Sequence, residues 1–199
     1  FRTTEKFCQL PVVTLDELSV YQKKRQFKLF IAIQWNCLNR DRRQVYERLK
    51  KEGYRFASLI SPHAILHEDT EIGENCWICD QVVIEVSSKI MNNTFVKVGA
   101  WVAHYVTIRE HCFIGAHSII AGGVNIGEQT FLGVGTTVFD NVEVGEKCII
   151  GAATVIKRNV PAFSIVKTRV TDEIVQLTSD TIENKLIAQH YGDENTEKE

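Results

Sequence analysis

Residues 108–132 read IREHCFIGAHSIIAGGVNIGEQTFL, and an aliphatic side chain occurs at every sixth position of this stretch. The same series continues without a break from Ile60 to Ile156, and a small or β-branched residue stands two positions before each aliphatic one. A period of six fits neither a helix nor a simple hairpin strand, whereas it fits a short strand followed by a sharp corner. Three such edges close a triangular coil of about 18 residues, so the sequence predicts a parallel β-helix of about five coils.

The segment before this series has a different pattern. Thr14 and Glu17 form a helix N-cap pattern, and residues 28–33 are an apolar run typical of a buried parallel strand. Residues 39–52 have a helix-forming composition that ends at Gly53. These features indicate part of a small α/β domain, and we expect a first strand and a glycine loop to belong to it as well.

Three regions follow from these patterns. We interpret residues 1–59 as the partial α/β domain and residues 60–166 as the β-helix. We interpret residues 167–199 as a C-terminal helix, at about 172–189, followed by an acidic tail. The protein is therefore expected to be mainly β.

Charge and hydropathy exclude two classes of partner. The formal net charge is −2 and the sequence pI is about 6.3, so no basic field would attract nucleic acid or an anionic membrane. No apolar run has the length of about 18 residues that a membrane span needs.

The six cysteines are predicted to be reduced. Cys76, Cys112 and Cys148 recur at the spacing of two coils, or about 10 Å between stacked positions. Disulfides need Cα atoms within about 7 Å, so we expect buried thiols and a cytoplasmic protein. Cys76 and Cys79 have the spacing of half a zinc or redox site, but they lie inside the repeat and have no second pair.

His104 is the histidine best placed for chemistry. It follows the inward residue Val102 at a corner in the middle of the array, and Gly122 stands one coil later at the same corner. A stacked histidine and a bare glycine amide would pair a general base with an oxyanion donor, as acyl transfer requires. The spacing alone is also compatible with a solvated corner histidine.

The six-residue series resembles the hexapeptide-repeat family, whose members form left-handed parallel β-helices and usually form trimers. The run from Ala100 to Gly127, with Val-x-His followed by Ala-Gly-Gly-Val-x-Ile-Gly, resembles more closely the sugar acyltransferases of the sialic acid O-acetyltransferase type. That group includes acetyl-CoA-dependent N-acetyltransferases of UDP-4-amino sugars, which carry an N-terminal α/β nucleotide-sugar domain. The resemblance implies a homotrimer that acetylates an amino or hydroxyl group of a nucleotide-linked sugar for surface glycan or lipopolysaccharide biosynthesis, without a metal.

The resemblance also implies residue roles. His104 is expected to be the general base, and the amide of Gly122 is expected to hold the thioester carbonyl. Four further residues are expected to bind acetyl-CoA, two along the pantetheine and two at the phosphates: Val134, Ala152, Lys157 and Arg158.

The chain departs from the family pattern around the expected acceptor. Tyr105 follows the histidine where an acidic residue is common, and Glu85, one coil lower, is expected to replace that carboxylate. Lys97 occupies a substrate-contacting position that is often Asn. His117, on the following coil, is a second candidate base near the substrate.

Two other functions are compatible with these departures. The protein could be a catalytically inactive binding or assembly subunit, because the acidic neighbour of His104 is replaced. It could also be a zinc enzyme of the carbonic-anhydrase type, which would need His63 with His67, or His111 with His117, as ligands. The histidine spacing matches that type of site poorly.

Overall fold

The computed structural model of the protein describes residues 6–7, 10–15, 17–18 and 27–167. The helix α1 has the bounds Arg40–Lys51. The strands are two residues long, with the bounds β1 Lys6–Phe7, β2 Leu10–Pro11, β3 Leu59–Ile60, β4 Ile65–Leu66, β5 Glu71–Ile72, β6 Trp77–Ile78, β7 Val83–Ile84, β8 Lys89–Ile90, β9 Phe95–Val96, β10 Trp101–Val102, β11 Thr107–Ile108, β12 Phe113–Ile114, β13 Ile119–Ile120, β14 Asn125–Ile126, β15 Phe131–Leu132, β16 Thr137–Val138, β17 Glu143–Val144, β18 Ile149–Ile150, β19 Val155–Ile156 and β20 Ile165–Val166.

The strands from β3 onward stack into three parallel sheets, which confirms the predicted β-helix. We call the seven-stranded sheet that begins at β3 face 1, the six-stranded sheet that begins at β4 face 2, and the five-stranded sheet that begins at β5 face 3. Trp101 pairs with Val83 below it and with Ile119 above it, so each coil takes 18 residues.

The array is one coil longer than the predicted five. Val160 bridges Val144, and Ile165 pairs with Ile149, so the last coil takes 16 residues instead of 18. The corner after Ile156 is two residues shorter than the others. This breaks the six-residue period and hides the final strand from a count of the repeat.

Three sets of corners join the faces. Corner A joins face 1 to face 2 and comprises residues 61–64, 79–82, 97–100, 115–118, 133–136 and 151–154. Corner B joins face 2 to face 3 and comprises residues 67–70, 85–88, 103–106, 121–124, 139–142 and 157–158. Corner C joins face 3 to face 1 and comprises residues 73–76, 91–94, 109–112, 127–130, 145–148 and 161–164.

The interior of the β-helix combines aliphatic residues with small residues that hydrogen-bond to the coil above. Ile108, Ile114 and Ile120 are fully buried. The hydroxyl of Ser88 donates to Ala103 O at 2.7 Å, which satisfies a polar group inside the core. The Cys112 thiol donates to Gly127 O at 3.1 Å in the same way, and burial raises its pKa to about 12. The described cysteines are free thiols, as predicted.

The segment before the coils packs on corner C and face 1. The amide of Glu17 donates to Thr14 Oγ1 at 3.3 Å, while the amide of Thr14 donates to a Glu17 carboxylate oxygen at 2.7 Å, so the predicted capping pattern is present. Residues 28–33 were predicted to form a parallel strand, but only Leu29 forms a bridge, to Phe56. The amide of Ile31 donates instead to Asn75 Oδ1 on corner C at 2.8 Å, so this part of the segment bonds to the β-helix.

Aromatic rings hold the same segment against face 1. The ring of Phe30 stacks on Phe95 with centroids 5.8 Å apart, and Trp35 lies 5.4 Å from Phe131. This segment therefore covers part of face 1 around Phe95 and Phe131. The predicted helix at about 172–189 lies outside the described residues.

Candidate active site

His104 projects from corner B toward the coil above. Its carbonyl accepts the amide of Gly123 at 2.9 Å, which fixes the two coils in register. A methyl group on Gly122 would lie 2.5 Å from His104 Nε2, which is closer than atoms can approach. Only glycine at position 122 leaves space for the imidazole, so the predicted stacking of these two residues is observed.

A carboxylate from the coil below approaches the other ring nitrogen. Glu85 Oε2 lies 3.4 Å from His104 Nδ1. Glu85 Oε1 accepts the indole N–H of Trp101 at 2.9 Å, which holds the carboxylate in place. Because Nδ1 faces a carboxylate, this network assigns the proton of the neutral ring to Nδ1 and leaves the lone pair on Nε2.

Tyr105 takes no part in this charge network. Its ring packs edge-to-face against His104 with centroids 5.6 Å apart, and its backbone is left-handed with φ of 57°. The contact shows that a side chain at position 105 can reach the imidazole.

The amide of Gly122 has a partner that the sequence analysis missed. It donates to Asp140 Oδ1 at 3.1 Å, and Asp140 stands one coil above Gly122 on corner B. The spacing that pairs His104 with Gly122 also leads to Asp140, so the repeat contained the signal. An acyl oxygen that accepts a hydrogen bond from this amide has to displace the exposed Asp140 carboxylate or share the N–H group with it.

The expected phosphate-binding cations lie on the same corner as His104. Lys157 and Arg158 are exposed on the last coil. Lys157 Nζ lies 5.6 Å from the centroid of the Phe139 ring, which is one coil lower.

The remaining predicted site residues lie on corner A, at the opposite edge of face 2. Val134 and Ala152 are exposed one coil apart. Lys97 Nζ lies 3.9 Å above the ring of Trp77, and the ring of His117 lies against Gly99. Within one chain these residues do not come together with His104.

The outer surface of face 2, between these corners, is apolar. Four of its outward side chains are exposed large hydrophobic residues, Ile65, Trp101, Ile119 and Val155. Its width separates corner A from corner B in a single chain.

The histidines proposed as zinc ligands are dispersed. His63 belongs to corner A and His67 to corner B. His111 is buried beneath α1, where Nδ1 lies 2.7 Å from Asn93 Nδ2 and burial lowers the pKa of the ring to about 4. The described residues contain no group of three or more His, Cys, Asp or Glu side chains able to hold a metal ion.

The described part of the chain has no helix with the length and hydropathy of a membrane span.

Comparison with known proteins relates this fold and corner geometry to a family. The hexapeptide repeat of succinyl-transferase matches residues 105–129 and 123–158. The comparison with curated proteins found no significant match.

Solved structures match over most of their length. PerB from Caulobacter crescentus, in complex with CoA and GDP-perosamine, is 30% identical with a TM-score of 0.75, over 81% of this chain and 77% of that protein. A histidine-to-asparagine variant of perosamine N-acetyltransferase from the same organism, with the same two ligands, is 29% identical with a TM-score of 0.75, over 81% and 76%. The acetyltransferase domain of PglB from Neisseria gonorrhoeae, in complex with acetyl coenzyme A, is 26% identical with a TM-score of 0.73, over 80% and 77%. The chain therefore belongs to the sugar acyltransferases of the left-handed β-helix type.

Proposed function

We propose that the protein transfers the acetyl group of acetyl-CoA to the amino group of a nucleotide-linked sugar. The observation that carries the proposal is the imidazole of His104, which lies between the Glu85 carboxylate and the backbone of Gly122. The structures of similar proteins with CoA and GDP-perosamine support the two substrate classes. In this proposal the protein acts in the cytoplasm, in the synthesis of a surface glycan such as lipopolysaccharide.

The proposed mechanism uses the lone pair on His104 Nε2. The sugar amine attacks the thioester carbonyl carbon, and Nε2 takes the proton that the nitrogen loses. The tetrahedral oxyanion accepts a hydrogen bond from the Gly122 amide. Collapse expels the thiolate of CoA, which takes the proton from Nε2, so the products are the acetylated sugar and free CoA. Glu85 stabilises the imidazolium that exists between these steps.

The other predicted residues fit around this reaction. Val134 and Ala152 would line the pantetheine, and Lys157 with Arg158 would pair with the phosphates of CoA. Lys97 and Tyr105 would contact the sugar nucleotide.

A homotrimer would unite the two halves of the site. If face 2 of each chain turns toward a threefold axis, its apolar row is buried and corner A of one copy meets corner B of the next. We expect a solution mass of three times 22.6 kDa, measured by light scattering. Ile119→Asp should dissociate the trimer, while Thr107→Asp on face 3 should leave it intact. A wild-type monomer that turns over normally would exclude a shared site.

The function is tested by thiol release from acetyl-CoA with a panel of nucleotide-linked amino sugars and their hydroxyl analogues. Turnover with one amino sugar establishes the reaction and its acceptor. The alternative of an inactive assembly subunit rests on Tyr105 in place of the acidic neighbour. Coenzyme A binding with no turnover on any acceptor would favour that alternative.

The Glu85 carboxylate has its own test. Glu85→Gln keeps the shape but removes the charge facing Nδ1, so kcat should fall by about 10- to 100-fold, with little change in KM. Adding Tyr105→Glu to this variant should recover much of the loss, because position 105 reaches the imidazole. Glu71→Gln on face 3 serves as the control. If the second change gives no recovery, Glu85 does not act by supplying charge to His104.

A further inference from the structure

His104 and His117 lie at the same height on the β-helix. His104 rises from corner B toward Gly122 on the next coil, and His117 on that next coil lies against Gly99 on the coil of His104. The amide of His117 donates to Val98 O at 3.0 Å, which fixes this stacking. Both imidazoles therefore span the same two coils, one at each edge of face 2.

Both rings occupy space that a missing side chain leaves open. A methyl group on Gly99 would lie 2.5 Å from His117 Nδ1, as a methyl group on Gly122 would lie 2.5 Å from His104 Nε2. Gly99 and His117 both have left-handed backbones, with φ of 67° and 55°. Nδ1 and Cε1 are the ring atoms nearest Gly99, so Nε2 is the nitrogen on the side away from that coil.

Among the residues that the structure describes, the corner around Gly122 offers few donors for an oxyanion. Oxyanions are stabilised by several preorganised donors, but here one amide points to the position, and that amide already donates to Asp140 Oδ1 at 3.1 Å. The negative charge that develops on the oxyanion would be better stabilised by a second N–H group from outside this corner.

We propose that the partner subunit's His117 completes the site around His104 by donating its Nε2–H to the thioester carbonyl oxygen. This rests on the proposed function and on the threefold arrangement in which corner A of one copy meets corner B of the next. Since the two rings have the same height, that arrangement brings them to opposite sides of one reacting thioester. The imidazole of His117 then stabilises the oxyanion together with the Gly122 amide.

The first experiment is the kinetics of His117→Gly, a change that suits the left-handed backbone at this position. We expect kcat to fall by about 100-fold, as for loss of one oxyanion donor, while the KM of the sugar stays within about threefold of wild type. Gln81→Gly is the matched control, because Gln81 has φ of 59° at the same position of corner A, two coils lower. Wild-type kcat in His117→Gly would overturn the proposal.

The second experiment is subunit complementation. Chains with His104→Ala and chains with His117→Gly are co-expressed in equal amounts and assayed as mixed trimers. If each site takes His104 and His117 from different chains, about a quarter of the sites contain both histidines, so about a quarter of wild-type activity returns. No recovery above the separate variants would overturn the shared site.

These outcomes separate the inference from the proposed function. An active wild type that loses activity with His104→Ala but keeps it with His117→Gly overturns this inference alone. A wild type that turns over no acceptor overturns both.

Discussion

Replacing His104 by asparagine is expected to lower kcat for acetyl transfer by about 10²- to 10⁴-fold. Asparagine fills much of the space beneath Gly122 and can still hydrogen-bond to Glu85, but it cannot take the proton of the attacking amine. The dissociation constant of CoA should change by less than about threefold, because the proposed pantetheine and phosphate contacts lie elsewhere. Thiol-release kinetics give kcat, and titration calorimetry gives the binding constant.

The control for this change is His67→Asn, an exposed histidine of the same corner near the first coil. It should retain wild-type kcat and KM. Since His104 is exposed, the thermal unfolding midpoint of His104→Asn should match that of wild type. A variant that keeps more than half of wild-type kcat would remove His104 from the mechanism.

The β-helix was predictable because its stability comes from a repeated local rule. Each aliphatic residue such as Ile114 packs on the residues 18 before and after it, so one pattern of spacing fixes strand, corner and register together. The short corner after Ile156 was missed because a two-residue deletion interrupts the six-residue period, so a count of the repeat stops there. It is visible in the pairing of Val160 with Val144 and of Ile165 with Ile149.

The sequence predicted the contacts of the site along the stack of coils, but not contacts between different corners. Spacing along the coils correctly stacked His104 with Gly122 and brought Glu85 beside the imidazole. Val134 and Ala152 are not a multiple of 18 residues from His104, so the same spacing places them on a different corner, but it does not say how a site brings two corners together. Asp140 was not predicted because it stands two coils above His104, whereas the carboxylate expected beside the imidazole, Glu85, lies on the coil below.

Contacts between the first segment and the coils could not be deduced from a period. Residues 28–33 have the composition of a buried strand, yet Asn75 takes the amide of Ile31, and Phe30 packs on Phe95. Such long-range pairing overrides local β-propensity. These contacts attach α1 and the segment before it to the surface of the β-helix.

The largest expected loss of stability follows from replacing Arg42 of α1 by alanine. Arg42 is fully buried, and its guanidinium lies 4.1 Å from the centroid of the Phe95 ring. It donates to five carbonyl oxygens, those of Ile33, Gln34, Asn93, His111 and Cys112. Burial lowers its pKa to about 10, so the side chain stays charged at neutral pH.

Alanine would leave both a cavity and several carbonyl groups without a donor. Each buried unsatisfied polar group costs about 1–3 kcal/mol, so we expect the free energy of unfolding to fall by about 3–5 kcal/mol in urea denaturation. Arg48→Ala is the control, because Arg48 is exposed on the same helix and its nearest carboxylate, Glu52, is 3.8 Å away. That change should cost less than about 1 kcal/mol. A loss below about 1 kcal/mol in Arg42→Ala would show that the buried guanidinium does not fasten α1 to the coils.

The same variant also separates folding from catalysis. Arg42 fastens α1 to corner C through the carbonyls of Asn93 and His111, whereas His104 lies on corner B. Below its unfolding transition, Arg42→Ala should therefore retain the kcat of wild type even though its unfolding midpoint is lower. A parallel loss of kcat at a temperature where the variant is folded would mean that the packing of corner C reaches the imidazole through the coils.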